Sequence, residues 1–261
     1  MMRRYSSGLG GKSSLIPETK TILQTVAHTA SFDDARRQVV DNNILLKSTK
    51  GNSITIWEIV HRRYLTNKPT SVVKGLGQLS QKPTVDKDVE LILFYELALS
   101  LPIVYDLTTD CLYTLYQNGR STVNKSDILD WLDQAAATGH DEINGWSPQT
   151  KSKVASNYLT IARDFGLLEG TQRKAFARLY LPLATFVYVL YRLKDQGLNA
   201  KAIVTSPDFK LFLLEQRDVF LLLEEATRAG YITFQQAGDI YNLTFHYHDL
   251  NEVIDELIGQ I

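Results

Sequence analysis

Cysteine is nearly absent: Cys111 is the only one in 261 residues, so neither an internal disulfide nor a CxxC metal or redox pair can form. Such usage fits a reducing compartment, and a cytoplasmic location is expected. Long apolar runs are missing too. The longest uncharged apolar-rich stretch, Leu179 to Tyr191, is thirteen residues and contains Pro182, whereas a membrane helix needs about 17–25. It is expected as a buried core helix preceded by a strand, with no membrane association. Met1-Met2-Arg3-Arg4-Tyr5 is followed by Ser6-Ser7-Gly8 instead of an apolar segment, so no secretory signal is expected. Charge of one sign is also lacking. A formal net charge of −1 at pH 7 gives neither the overall basicity of a polyanion binder nor the acidity of a solvating tail.

Catalytic signatures are absent in turn: there is no Gly-x-Ser-x-Gly elbow, no HExxH pair and no acidic metal cluster. Gly8-Leu9-Gly10-Gly11-Lys12-Ser13 has the composition of a phosphate loop. That motif needs glycine where Ser6 stands, and a buried strand where only five residues precede. A flexible N-terminal arm that reaches a partner through Arg3, Arg4 and Lys12 is expected instead. Of five histidines only His246 and His248 can share a face, beside Asp249, and two ligands without a third make a weak metal site. Cys111 lies among Leu107, Leu112 and Leu115, a setting for a core thiol, not a nucleophile. The pairs Asp33-Asp34 and Glu224-Glu225 fall in helical contexts and read as solvated charge. No catalytic residue, cofactor, metal or small-molecule substrate is expected.

What is present is apolar content of 44%, enough for a sizeable core. Charge is segregated along the chain: residues 1–75 carry twelve Lys/Arg against five Asp/Glu, and residues 205–261 carry three against ten. Solvated helix faces produce milder versions of such asymmetry, and a polyanion-binding end opposite a partner-facing one produces it directly. Helical signals dominate. Pro17 at a first helical position leads Ile22, Leu23 and Val26; Ser31 caps a second helix with Ala35, Val39 and Val40; Ile54 to Leu65 reads as a third. A short helix near 72–79, an apolar one over 89–99 and a segment from Pro102 to Tyr116 follow. Further on, Asp208 to Gly230 reads as one helix, Tyr231–Phe234 and Tyr241–Tyr247 as strands, and Leu250–Ile258 as a closing helix.

Residues 103–181 have an informative order. A helix ends at Asn118-Gly119, Ser121-Thr122-Val123 is extended, and a second helix runs from Lys125 to Ala137 behind an Asn124 cap. Ser147-Pro148 opens a third, in which Val154, Tyr158, Ile161, Ala162 and Phe165 form a core-facing stripe. Gly166 stops it, and Lys174 to Leu181 reads as β, with Phe176, Leu179 and Leu181 as strand residues. Helix, short strand, helix, helix, then a turn-linked β segment is the order of a winged helix, whose last helix enters the DNA major groove. Its outer side carries Lys151, Lys153, Ser156, Asn157, Thr160 and Arg163, and the following segment adds Arg173, Lys174 and Arg178. Lys and Arg neutralise phosphates, while Ser, Asn and Thr position the backbone or read bases, so these nine are the candidate contacts to double-stranded DNA. Winged helices also bind proteins, and a lysine-bearing amphipathic helix is commonly a solvated face.

The opening Tyr5-Ser6-Ser7-Gly8-Leu9 through Ser14-Leu15-Ile16-Pro17-Glu18, the tandem N-terminal helices and the stretch Ala162-Arg163-Asp164-Phe165-Gly166-Leu167-Leu168 resemble the BrxA family of BREX bacteriophage-exclusion systems. The resemblance implies a mainly α fold, with a NusB-like helical N-terminal part, a winged-helix unit and a small α/β C-terminal part. The expected divisions are 1–102 (helical, with the basic arm), 103–204 (winged helix) and 205–261 (acidic, helix and strand). It implies a role in phage resistance, DNA binding and other BREX proteins as partners, with no catalytic residues to carry over. Two alternatives stay open: a purely structural protein–protein adaptor, and a NusB-like RNA-binding or transcription-modulating protein.

Overall fold

The computed structural model describes residues 4–10, 14–82 and 86–259, and the chain is mainly helical. It divides into two compact units. The first contains residues 1–14, 97–180 and 207–215; the second contains 15–96, 181–206 and 216–261.

In the second unit, helices α1 (Ile16–His28), α2 (Phe32–Val40), α3 (Lys50–Val60) and α4 (Thr70–Leu79) come first. Ser31 caps α2 as expected, its Oγ accepting the Asp34 N–H at 3.1 Å. The third helix starts four residues before the expected Ile54, capped by Thr49, and its end, His61–Leu65, is a π-helical turn. Helices α1 and α4 pack so closely that a Cβ on Gly77 would lie 2.2 Å from the Leu23 carbonyl oxygen. Helix α5 (Asp86–Ser100) begins in this unit and is buried on all sides from Leu91 to Ala98, which explains why its sequence is apolar without a period. Next come α10 (Leu183–Asp195), α11 (Ala200–Val204), α12 (Gln216–Arg228), the hairpin β4 (Ile232–Ala237) with β5 (Ile240–Phe245), and α13 (Leu250–Gly259). Within this core Glu96 is fully buried, with Arg192 Nε at 2.7 Å, Lys68 Nζ at 3.1 Å and the Tyr188 hydroxyl at 2.8 Å.

The first unit holds α6 (Pro102–Asp106), a π-helical stretch Leu107–Leu112, α7 (Tyr113–Gln117), β1 (Thr122–Val123), α8 (Lys125–Ala137), α9 (Pro148–Asp164), β2 (Leu168–Glu169) and β3 (Lys174–Phe176). The three strands form an antiparallel sheet of order β1-β3-β2, with Thr122 opposite Ala175 and Leu168 opposite Phe176. Gly170, at φ +86°, makes the β2–β3 turn; a Cβ there would sit 2.2 Å from the Arg173 carbonyl oxygen.

Several expectations are corrected. The division does not follow the boundaries at 102/103 and 204/205, because α10 packs on α12 and α13 while Pro207–Glu215 packs in the first unit. The helix expected over 208–230 is a 3-10 turn, Pro207–Phe212, and then α12, separated where Leu213 takes a left-handed φ of 58°. The β segment expected to reach Leu181 ends at Phe176, since β2 and β1 offer pairing only that far. Among the described residues no single helix is long and apolar enough to cross a membrane; helices either side of Leu101 reach that composition only jointly.

Candidate nucleic-acid interface

Helix α9 carries most of the expected contacts. Ser147 caps it, its Oγ accepting the Thr150 N–H at 3.1 Å, and Pro148 occupies the first position, where no N–H is needed. Its buried side comprises Val154, Ala155, Tyr158, Leu159, Ile161 and Ala162, with Phe165 just beyond. That face is wider than the expected stripe by Ala155 and Leu159. At 3.6 residues per turn, what faces outward is a narrow strip: Gln149, Lys153 and Ser156 are exposed, with Ser152, Thr160 and Arg163 half-buried beside them.

The six cations among the nine expected residues divide into three groups. Lys153 on α9, Arg173 in the hairpin turn and Arg178 after β3 are exposed and make no ion pair among the described residues. Lys151 and Arg163 are half-buried and paired, to Asp133 on α8 at 2.6 Å and to the adjacent Asp164 at 2.6 Å. Lys174 is buried, its ammonium donating to the carbonyls of Gly170, at 3.0 Å, and Thr171; burial holds it below the ordinary lysine range. It ties the β2–β3 turn together. Ser156 is exposed, and the Thr160 hydroxyl donates to the Ser156 carbonyl at 2.9 Å.

Asn157 is engaged elsewhere. Its Nδ2 donates to the Leu9 carbonyl at 2.9 Å, and Leu9, in the short 3-10 turn Gly8–Gly10, is buried in this unit. The described part of the arm is therefore docked. Tyr5 is buried, its N–H donating to Glu142 Oε1 and its hydroxyl to Asp106 Oδ2, both at 2.6 Å, while its ring stacks on His140 at 3.8 Å. Burial first, then the Asp106 hydrogen bond and charge, push the Tyr5 hydroxyl well above the usual tyrosine range. The Ser14 hydroxyl donates to Asp164. Of the expected arm contacts Arg4 is exposed, and Arg3 and Lys12 lie outside the described residues.

Three polar side chains of this unit were not anticipated. Gln149 is exposed in its first turn; Lys125 Nζ donates to Ser152 Oγ at 2.6 Å; Arg120 lies 3.4 Å from Asp127. Gln149 was legible as the residue after the capping Ser147-Pro148. Lys125 meets Ser152 because α8 packs on α9, which no local pattern announces, and Arg120 pairs with Asp127 in the first turn of α8.

The remaining candidates are placed without a site. Cys111 is buried, and burial, with the Asp127 and Asp110 charges, pushes its thiol up to about 12. His246 Nδ1 donates to the Gly230 carbonyl at 2.7 Å and its Nε2 lies 2.8 Å from the Thr233 hydroxyl. Among the described residues no group of three or more His, Cys, Asp or Glu side chains is placed to hold a metal ion.

A sequence model of the BrxA family matches residues 3–190, which include α9, the three-stranded sheet and the docked arm. The chain belongs to the BrxA family. Membership carries a role in BREX phage defence, in general terms that of a non-catalytic component, with other BREX proteins as the suggested partners. Among curated proteins, no sequence matches this BrxA-family chain. Among solved structures it is similar to an uncharacterized protein from Magnetospirillum magneticum, at 14% identity and a TM-score of 0.61, over 81% of this chain and 100% of that one. At that identity the likeness shows a shared fold. Helices α11 to α13 and the β4–β5 hairpin fall outside the residues matched by the BrxA model.

Proposed function

We propose that this BrxA-family protein is a non-enzymatic, cytoplasmic BREX component that binds double-stranded DNA through a winged-helix unit and docks onto other defence proteins. The observation that carries the reading is the set of outward cations Lys153, Arg173 and Arg178, unpaired among the described residues. They sit on α9, on the β2–β3 turn and just after β3, which in a winged helix are the recognition helix, the wing and the strand leaving it. The antiparallel order β1-β3-β2 supports that assignment. Ser156 and Thr160 lie on the same outward side, and Lys151 and Arg163 become available if phosphate displaces their carboxylate partners. Lys174 serves the shape of the wing.

Three phosphate contacts release counterions with a log-log salt slope of roughly −2.7, so affinity should fall about 40-fold between about 50 and 200 mM salt. Fluorescence anisotropy on a labelled duplex measures this. Charge reversal at Lys153, Arg173 and Arg178 together should weaken binding to all duplex sequences by at least tenfold while α9 stays packed. Unchanged affinity in a folded triple variant sinks the assignment and favours the adaptor reading. Equal competition by single-stranded RNA would favour the NusB-like alternative.

Docking is supported by a different surface. Residues 216–261, all in the second unit, carry eight acidic against two basic side chains, and Leu221 on α12 and Ile240 at the hairpin turn are 62% and 74% exposed. An acidic segment with exposed apolar residues repels DNA and suits a protein partner.

A further inference from the structure

Sequence pattern makes Asn157 one of the side chains on α9 suited to a base edge. Its Nδ2 is held by the Leu9 carbonyl at 2.9 Å, so it positions the arm. Gln149 lies two turns closer to the start of the helix, where recognition helices present their base-reading residues. It is exposed, and its side chain makes no hydrogen bond among the described residues. We infer that Gln149 reads an adenine, and that Gln149, Lys153 and Ser156 together span a recognition site of about three base pairs.

This rests on the winged-helix reading above and adds sequence preference to it. A glutamine amide offers one acceptor and one donor group side by side, the complement of adenine N6–H₂ and N7 in the major groove. Neither group of Gln149 has to leave a protein partner to do so. Lys153 and Ser156 follow at i+4 and i+7 on the same outward strip. At 1.5 Å per residue the three cover about 10 Å, the length of about three base steps at 3.4 Å each. Lys153 within that strip meets either a phosphate or a guanine edge, and Ser156, short and uncharged, tolerates more than one base. Thr160 is a poorer reader, because its hydroxyl already donates to the Ser156 carbonyl.

The test is selection of the full chain on a duplex library with a randomised 20-base-pair core, compared with Gln149→Ala, Gln149→Glu and Asn157→Ala. The parent should enrich one adenine over the other bases by roughly 5- to 150-fold. Gln149→Ala should lose that preference while affinity for the unselected library stays within about twofold and the salt slope is unchanged. Gln149→Glu should move the preference toward cytosine, whose N4–H₂ only donates, a change that a structural role for Gln149 does not produce. Asn157→Ala should keep the adenine and expose the arm to proteolysis. An adenine preference that survives Gln149→Ala, or is lost in Asn157→Ala with the arm still protected, overturns the inference. So does duplex binding without any base preference, and in each of these cases salt-dependent binding leaves the winged-helix reading standing. No duplex binding at all overturns both.

Discussion

Replacing Glu96 by Leu should be among the most damaging single changes in the second unit. The carboxylate is fully buried and serves three partners: Arg192 at 2.7 Å, Lys68 at 3.1 Å and the Tyr188 hydroxyl at 2.8 Å. Lys68 keeps only 9% of its side chain exposed and Arg192 22%, so neither cation regains water when its partner goes. Breaking a buried pair from one side costs about 3–5 kcal/mol. In a cooperative unit of roughly 150 residues that lowers the melting temperature by about 6–20 °C. The same cluster sets an acid limit. Burial pushes the Glu96 carboxyl up, but the Arg192 and Lys68 charges more than reverse this and hold it below the usual glutamate range. Its folded pKa is thus depressed relative to the unfolded chain. The stabilisation is complete above about pH 4.5, the ordinary glutamate region, and is lost as pH falls through the lower folded value. Calorimetry and circular dichroism of Glu96→Leu beside a Glu96→Leu/Lys68→Met/Arg192→Leu variant separate the causes. The triple variant should recover most of the loss, because no unpaired charge remains. A loss below about 1 kcal/mol in the single variant would refute the picture of a water-excluded ion cluster.

Gly77→Ala should destabilise the second unit by about 1–3 kcal/mol or more in urea titrations, because the added Cβ meets the Leu23 carbonyl at 2.2 Å; wild-type stability would mean that α1 and α4 are further apart. Gly170→Ala should weaken duplex binding with little change in the melting of α9, since it strains only the turn that carries Arg173; unaltered anisotropy would remove the wing from the interface. Tyr5→Ala should release the arm, read as faster proteolytic cleavage near Leu9, whereas Tyr5→Phe should lose only the Asp106 hydrogen bond, worth about 1–3 kcal/mol with a charged acceptor. Cys111 should resist thiol reagents in the native protein at pH 8 and react on unfolding, because burial pushes its thiol up to about 12; rapid native labelling would contradict its placement.

The sequence by itself determined the mainly helical class, the caps at Ser31 and Ser147 and the core side of α9, because capping and amphipathic period are local properties that tertiary packing had no reason to override. It also located β3 at its start, Lys174, but ran it five residues past Phe176, where pairing stops, and did not mark Leu168–Glu169 as its partner strand. Its reading of the polar side chains on α9 and β3 was less complete. The pattern gives Lys153, Asn157 and Lys174 equal standing, yet the structure leaves Lys153 outward, ties Asn157 to Leu9 and buries Lys174 in its own turn. The Asn157 difference arises from a contact 148 positions away, which no window of sequence contains, whereas Lys174 folds back on carbonyls only three and four residues before it. A similar reason applies to the Glu96 cluster, whose partners lie 28 to 96 residues away, and to the grouping of α10 with α13. Local chemistry chose the elements. Which polar groups meet solvent, and which meet each other, was decided only when the distant segments packed.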